Sequence, residues 1–458
     1  MVTLFRHHFH VISIVQALFE ALLFFGVVYF VIELQSGGNS PALLPALVFA
    51  VLMLTANAAF GLYRADVPQT LSSVVPRLLC AVGIAIIVAY AGLVNFYPAL
   101  WVLDDALLAG ALTGLAGTLI LRTTIVPSVT SNLARHRVLV LGTGKRASAV
   151  ADALGGSPFK SIDVVGFLAP LSKEDPMVPA NRILIDRRPI SELVERLGVS
   201  EIIVAVEEQR GGALPMDELL QCRLDGIQVS DLADFLERVR GVVPLGSFKA
   251  SWLIYGDGFR QGRVRTWVKR AFDVVVSATL LALTAPLMLL AALAVKLESH
   301  GPVIYRQQRV GRAGHPFDVL KFRSMVANAE RDGRPQWAAA NDVRITRIGR
   351  IMRRTRIDEL PQLINVLRGE MSFVGPRPER PYFVEQLSES IPFYGLRHSV
   401  QPGITGWAQV RYTYSASVED AAKKLEYDLY YVKNHSLFLD IVILLETVRV
   451  VLFGEGAR

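Results

Sequence analysis

The richest chemistry in the chain is a pair of adjacent carboxylates in a field of guanidinium groups. Asp358 and Glu359 lie in Thr355-Arg356-Ile357-Asp358-Glu359-Leu360-Pro361-Gln362-Leu363, preceded by Arg344, Arg347, Arg350, Arg353 and Arg354. Each guanidinium presents a planar fork to phosphate oxygens, so this composition suits a phosphate-handling site. Downstream, Leu360, Leu363, Ile364 and Leu367 recur at helical spacing, with Arg368 and then Gly369 behind them. The spacing predicts a short helix with Asp358 as its N-cap and Pro361 in its first turn. Unpaired N–H groups at such a start favour an ionised carboxylate and an arriving phosphate. Read on local pattern alone, Asp358 is a plain cap, as most Asp residues at helix starts are; the wider constellation is what points to chemistry.

Two loops follow, Ser372-Phe373-Val374-Gly375-Pro376-Arg377-Pro378 and Pro402-Gly403-Ile404-Thr405-Gly406-Trp407-Ala408-Gln409-Val410. Two prolines stiffen the first, so Arg377 is presented at small entropic cost; two glycines let the second turn tightly with exposed amides. Either loop also reads as structure alone.

Together with Lys321-Phe322-Arg323-Ser324-Met325, these motifs resemble the bacterial monotopic phosphoglycosyl transferases in order and approximate spacing. The resemblance runs from about residue 265 to the C-terminus. The rest resembles the larger members, with amino-terminal membrane helices and a nucleotide-sugar-dehydratase-like middle domain. It implies transfer of a sugar 1-phosphate from a UDP-sugar to polyprenyl phosphate, such as undecaprenyl phosphate, with release of UMP. By the same resemblance Asp358 forms a covalent aspartyl phosphosugar and Glu359 is an assisting acid/base or metal-site group. Arg353 matches the family arginine five residues before the nucleophile, and Lys321, Arg323, Arg377 and Arg397 are candidates for phosphate or nucleotide contact. Mg²⁺ is the implied cofactor, with Asp358 its candidate ligand, since Mg²⁺ bridging diphosphate oxygens needs only one or two protein carboxylates. In a rival mechanism Asp358 only holds Mg²⁺ while donor and acceptor react directly. His398 reads as a structural histidine.

Composition points to a membrane protein with soluble parts. A chain of 458 residues, 52% hydrophobic and 19% charged, is too long for one domain and too apolar for an ordinary soluble protein. Its net charge of +7 suits nucleotide phosphates and lipid head groups. Nucleic acid is disfavoured, because no binding motif or basic tail accompanies the charge. Cys80 and Cys222 alone supply neither a disulfide framework nor a cysteine metal site, which fits a reducing cytoplasm.

The expected fold class is a membrane protein combining α and α/β parts. It has four N-terminal transmembrane helices in residues 1–126, a Rossmann-like parallel α/β domain in 131–245, and a mostly helical catalytic domain in 265–458. Apolar segments at 11–32, 43–63, 78–97 and 103–121 are each long enough or nearly so to span the hydrocarbon. Arg6, Arg64, Arg77, Arg122, Arg135 and Arg137 fall at the first end and in alternate connections, while 36–42 and 95–105 hold no Lys or Arg. Positive-inside bias then places the amino terminus and everything after residue 122 in the cytoplasm of a bacterial inner membrane. A signal peptide is disfavoured for the first segment, which is long for one and lacks a convincing cleavage site. Glu20, inside that span, should face the bundle interior.

In the middle domain Arg137-Val-Leu-Val-Leu-Gly142 reads as a buried strand, and Gly142-Thr143-Gly144-Lys145-Arg146-Ala147 as a Rossmann-type turn opening a helix. Strands are expected at 163–167 and 201–206, with a helix at 190–197. The second strand ends in Leu168-Ala169-Pro170, where a dinucleotide site would place its ribose-binding acid. No Tyr-x-x-x-Lys occurs anywhere, which disfavours an epimerase or dehydratase. A ligand-sensing or scaffolding role is therefore favoured over a bound cofactor.

Residues 274–295 are long enough to cross the membrane, yet a crossing would send the arginine-rich C-terminal region outside. Pro286 removes a helix hydrogen bond midway, so a helix–break–helix over about 271–296, entering and leaving on the cytoplasmic face, is expected. Ser277 and Thr284 are candidate donors to the freed backbone. Residues 437–453 are apolar but interrupted by Asp440, Glu446 and Arg449, and read as an interfacial helix with a core helix as the alternative. The resemblance points to glucose or galactose as the first choice of sugar, N-acetylated sugars next, and to exopolysaccharide, capsule or O-antigen synthesis. Membrane lipids and a second copy of the chain are further expected partners. A noncatalytic assembly factor is the competing reading, and a flippase would need more spans.

Overall fold

A computed structural model describes residues 2–4, 7–9, 11–37, 42–63, 71–96, 103–125, 136–155, 162–169, 175–186, 188–207, 214–247, 262–326, 344–412 and 417–453. Arg6, Arg64 and Arg135, used above for topology, lie outside them. The chain divides into two compact units, one of Met1–Leu4 with His8–Gly241 and one of Phe5–His7 with Val242–Arg458.

In the first unit, α1 (Val11–Ser36), α2 (Leu43–Ala59), α3 (Leu71–Phe96) and α4 (Leu103–Ile120) coincide with the four expected apolar segments. Two of them, α1 and α4, are long and apolar enough to cross a membrane, while the apolar parts of α2 and α3 are shorter. Close packing explains the glycines of α4: a Cβ on Gly114 would fall 1.7 Å from the Phe24 ring, and one on Gly110 2.5 Å from Val28. Small residues at such spacing let helices approach where lipid supplies no hydrophobic drive. Glu20 is fully buried, as expected, and is met by Tyr63 Oη at 2.6 Å, Asn57 Nδ2 at 3.0 Å and Arg122 Nη2 at 3.2 Å.

The same unit holds a parallel five-stranded sheet. Its strands β1 (His136–Leu141), β2 (Ile162–Leu168), β3 (Ile183–Leu184), β4 (Glu201–Val204) and β5 (Gln228–Asp231) take the order β3-β2-β1-β4-β5. This is the expected Rossmann-like arrangement. Gly142, which follows β1, has φ +129°, and a Cβ there would lie 2.6 Å from the Ala205 carbonyl oxygen. Only glycine fits. The mouth of that turn is crossed by the protein's own bonds: Met177 N donates to the Thr143 carbonyl at 2.8 Å and Arg146 Nη1 to the Val206 carbonyl at 2.8 Å.

The second unit begins with α5 (Arg263–Glu298), a helix of 36 residues containing Pro286. The expected break is absent, because helix runs through the proline. Pro286 removes a single donor and helix continues on both sides of it; two residues earlier the Thr284 hydroxyl donates to the Leu280 carbonyl at 2.7 Å. Both ends of α5 are tied down while its middle is bare, with Leu283 72% and Leu289 73% exposed. A hairpin of β6 (Ile304–Val310) and β7 (Pro316–Phe322) follows, then α6 (Arg347–Thr355) and α7 (Gln362–Arg368). Next come a parallel pair, β8 (Ser372–Val374) with β9 (Gly403–Thr405), and two long helices, α8 (Val418–Asn434) and α9 (Leu437–Phe453). One face of α9 enters the core through Leu439 and Ile443, and its Asp440, Glu446 and Arg449 are buried too. Those charges therefore face protein instead of marking a wet side, which favours the core-helix alternative for that face.

Candidate active site

Asp358 is held in a turn, not at a helix cap. Thr346 caps α6, its hydroxyl accepting from Gly349 N at 2.9 Å, and the helix ends where Arg356 adopts φ +60°. A left-handed non-glycine residue costs on the order of 1 kcal/mol or more, so the surrounding packing must fix it. The chain then makes a single 3₁₀ turn, Ile357–Glu359, before α7. The expected N-cap role for Asp358 fails because Pro361 occupies the cap position at φ −60° and no side chain caps α7. The helical spacing was legible, as was the stop at Gly369, which has φ +84°.

Freed from capping, Asp358 is 7% exposed and its Oδ1 has no hydrogen-bond partner among the described residues. Glu359 is the opposite case. Its Oε1 receives Arg377 Nη2 at 2.7 Å and Lys321 Nζ at 3.1 Å. Burial pushes the Glu359 carboxyl up, but the charges of Arg377 and Lys321 and the Arg377 hydrogen bond outweigh it and hold it well below the usual range. Asp358 moves the other way. Burial first, then the Glu359 charge, raise it to about 6 against the pull of Lys321, Arg353 and Arg356. Two neighbouring carboxylates are thus split into a fixed, paired anion and an unpaired one titrating near neutrality, a division characteristic of reactive sites. Burial lowers Lys321, with Glu359 opposing.

Lys321 comes from β7, which Asn365 of α7 clamps like an extra strand. Its Oδ1 accepts from Leu320 N at 3.0 Å and its Nδ2 donates to the Asp318 carbonyl at 2.7 Å. Arg377 comes from the Gly375-Pro376-Arg377-Pro378 loop after β8. That loop lies glycine against glycine on the second motif: a Cβ on Gly403 would fall 2.1 Å from Gly375 N, and one on Gly406 2.2 Å from Gly375 O.

Lys321, Arg377, Asp358 and Glu359 are brought together as expected, and half-buried Arg353 acts on Asp358 through its charge. Two other expected contacts are placed differently. Arg323 is directed at the end of α5, donating to the Pro302 carbonyl at 2.6 Å and the Ser299 carbonyl at 2.7 Å. Arg397 is buried, paired with Asp428 at 2.8 Å, and donates to the Arg377 carbonyl at 2.9 Å, so it positions the loop. His398 is pushed down to about 4 by burial and by Arg397, and packs edge-on against Tyr394, in keeping with a structural role. Sequence reading assigned no role to Arg309 or Arg356. Arg309, on β6, pairs with Glu379 at 3.3 Å and is lowered to about 10, first by burial. Nothing in the spacing of β6 distinguishes it from its neighbour Arg306.

Residues 264–454 match the family described as bacterial sugar transferase. A UDP-N-acetylgalactosamine-undecaprenyl-phosphate N-acetylgalactosaminephosphotransferase of Aeromonas hydrophila is 43% identical over 240 residues, 52% of this chain and 56% of its own length. A UDP-glucose:undecaprenyl-phosphate glucose-1-phosphate transferase of Caulobacter vibrioides is 48% identical over 193 residues, 41% of this chain and 71% of its own. The chain belongs to the bacterial sugar transferase family. A relative of the same printed activity from Xanthomonas campestris pv. campestris extends the likeness to 336 residues at 34% identity, covering 69% of this chain and 66% of its own length.

In this sugar transferase no group of three or more His, Cys, Asp or Glu among the described residues could hold a metal by protein ligands alone. The Oδ1 of Asp358, with no hydrogen-bond partner among the described residues, would supply one oxygen. That fits Mg²⁺, which keeps several waters and takes further ligands from substrate phosphates.

Proposed function

We propose that this protein transfers a sugar 1-phosphate from a UDP-sugar to undecaprenyl phosphate or a similar polyprenyl phosphate, releasing UMP. The observation that carries the reading is the unpaired, buried Oδ1 of Asp358 beside a Glu359 already bound by Arg377 and Lys321. A carboxylate oxygen of Asp358 attacks the sugar-bearing phosphorus. The bond from that phosphorus to the bridging oxygen breaks, and UMP leaves with the electron pair. A phosphate oxygen of the polyprenyl phosphate then attacks the aspartyl phosphosugar, giving a polyprenyl diphosphate sugar and restoring the carboxylate. Splitting one displacement into two gives ping-pong kinetics. Glu359 holds Arg377 and Lys321 where they neutralise phosphate charge at small reorganisation cost. Mg²⁺, held by Asp358, would neutralise and align the diphosphate when bound.

The donor is a UDP-linked hexose or N-acetylhexosamine. The relatives' printed activities include both glucose 1-phosphate and N-acetylgalactosamine phosphate transfer. The product would open exopolysaccharide, capsule or O-antigen synthesis at the cytoplasmic face of a bacterial inner membrane. In this reading α5 re-enters that face. Support comes from its anchors: Arg270 bonds the Val366 carbonyl at 2.5 Å and Val295 packs with Phe322. Asn365, next to Val366, bonds Leu320, close to Phe322 in the same strand. A straight helix would hold Arg270 and Val295 about 38 Å apart at 1.5 Å per residue, more than this short relay of contacts spans comfortably. The middle domain is read as scaffold or ligand sensor, since its glycine turn is crossed by the Met177 and Arg146 bonds.

The test is a panel of UDP-sugars with the full-length protein in lipid discs, followed by UMP release and intact mass. One sugar should give UMP without acceptor lipid and add one sugar phosphate to the protein. UMP release strictly dependent on acceptor, with no mass gain, would replace the covalent route by direct transfer. No UMP release with any donor would remove the transferase reading.

A further inference from the structure

The ion pairs around Arg377 leave one nearby cation unmatched. Glu359 takes Arg377 at 2.7 Å, Glu379 takes Arg309 at 3.3 Å and Asp428 takes Arg397 at 2.8 Å. Each of these three carboxylates thus has a guanidinium of its own. Lys424, on α8, has neither an ion pair nor a hydrogen bond among the described residues, although it sits in the field of the same cluster.

Helix geometry sets its direction. Lys424 precedes Asp428 by four residues, so the two side chains share a face of α8. Arg397 Nη2, which meets Asp428, also donates to the Arg377 carbonyl at 2.9 Å. That face is therefore turned to the loop that presents Arg377. Lys424 is half-buried, and burial first of all lowers its ammonium; Glu379 and Asp428 oppose this, while Arg377 and Arg397 lower it further. A lysine that only covers apolar surface with its stem turns its head to water. This one stays among guanidinium groups, and lysine is seldom drawn from water without an opposite charge to meet it. An unmatched cation so placed calls for an anion brought by the substrate.

The phosphates of the reaction narrow that anion. Lys321 and Arg377 flank the carboxylate pair and serve the phosphate that Asp358 attacks. A nucleotide diphosphate carries a second phosphate, to which the bridging oxygen stays attached when UMP leaves. The electron pair of the broken bond goes to that oxygen, so negative charge grows there and a fixed cation beside it favours the step. The lipid acceptor fits this position less well. Around Lys424 the exposed residues Glu419 and Lys423 are charged, and Val418 is the one large apolar side chain beside them, in contrast to the bare leucines of α5. A ligand reaching Lys424 comes from water, as a nucleotide does.

We propose that Lys424 is a substrate-contacting residue whose ammonium holds the nucleotide-side phosphate of the donor and stabilises UMP as it leaves. The identity of the anion rests on the transfer reading, but binding of UMP is measured without turnover, so the two can fail separately.

The experiment is isothermal titration of the full-length protein in lipid discs with UMP and with uridine. Lys424→Met should weaken UMP about tenfold, the loss of a bond to a charged group, and leave uridine unchanged. Lys424→Arg should restore UMP to within about threefold of wild type. Lys423→Met, at the exposed neighbour whose ammonium lies over the Tyr412 ring, should match wild type. Lys424→Met should also melt no lower than wild type, because an unmatched, half-buried charge is removed. Lower melting with equal losses for UMP and uridine would make Lys424 structural and overturn the proposal. Wild-type UMP affinity in Lys424→Met, or no UMP binding by the wild type, would overturn it too. A defect confined to discharge of the loaded protein by undecaprenyl phosphate would overturn it in favour of an acceptor contact. UMP binding that depends on Lys424, with no UMP released from any donor, would remove the transfer reading and leave the phosphate contact standing.

Discussion

Arg377 Nη2 stands 2.7 Å from Glu359 Oε1, and this contact makes the two adjacent carboxylates unlike. Glu359 stays ionised and occupied, and its charge helps raise Asp358 to about 6. Loading of the protein by donor should therefore fall about tenfold per pH unit below pH 6, because only the ionised Asp358 attacks. Glu359→Gln removes the charge that raises Asp358 and frees Lys321 and Arg377 to pair with it. The acid limb should move to lower pH while the plateau rate drops at least tenfold. Quenched intact-mass measurements between pH 4.5 and 8 would check both, and an unmoved limb in Glu359→Gln would contradict this coupling.

Asp358→Asn should remove activity and raise stability together. A carboxyl lifted from 3.8 to about 6 in the folded protein favours its protonated form. Its stabilising contribution is complete below about pH 3.8 and is lost as pH rises through about 6. Above pH 6 the wild type carries an ionised buried group at a cost of up to about 3 kcal/mol, at roughly 1.4 kcal/mol per pH unit. Asn lacks that ionisation, so the variant should melt several degrees higher at pH 7.5 and nearly together with wild type at pH 4. Thermal melts in detergent at both pH values would show it.

These two carboxylates also show where the sequence was readable. Types and order sufficed for the arginine field, the β8 and β9 loops and the helical stretch ending at Gly369, since each follows from local spacing. The roles of Arg323 and Arg397 were not legible. Their guanidinium groups end on carbonyls brought close by tertiary packing, at Ser299 and Arg377. The expected cap at Asp358 is absent because a left-handed Arg356, which has no signature in residue type, inserts a 3₁₀ turn before the helix. The Rossmann-like order and the interior Glu20 were readable, because strand alternation and a lone charge in an apolar span each leave few arrangements.

Gly403→Ala should damage the site from a distance. The new Cβ would lie 2.1 Å from Gly375 N and 2.6 Å from Gly375 O, both backbone atoms, so β8 and β9 must separate. Overpacking of this kind costs about 1–3 kcal/mol. Arg377 follows Gly375 closely in sequence and would shift with it. A misplacement near 1 Å lowers rates roughly a hundredfold. UMP release should fall by about that factor while membrane integration, followed by sedimentation with vesicles, is unchanged.

Asn365→Ala should weaken the hold on Lys321. The substitution leaves buried Leu320 N without its side-chain partner and removes the bond to the carbonyl of exposed Asp318, which water can replace. The unsatisfied Leu320 N costs about 1–3 kcal/mol. Melting should drop and donor KM should rise, as Lys321 loses its register against Glu359. Asn365→Asp should rescue only in part, because a carboxylate accepts from Leu320 N but donates nothing to the Asp318 carbonyl.

The path of α5 gives the last prediction. Its first turns are tied by Arg270 to α7, and its far end by Glu298, whose Oε1 accepts from Ile348 N at 3.1 Å, to α6. Both anchors belong to the unit that carries the carboxylate pair, so the two ends should lie on one side of the bilayer. Pro286 and the Thr284 bond to Leu280 supply a place for the bend. A cysteine at His300, in a chain with Cys80 and Cys222 replaced, should react with an impermeant maleimide only after the cytoplasmic face is opened. Reaction in intact cells would mean that α5 crosses the membrane, and the unit beyond residue 298 would then face outward, away from any cytoplasmic supply of UDP-sugar.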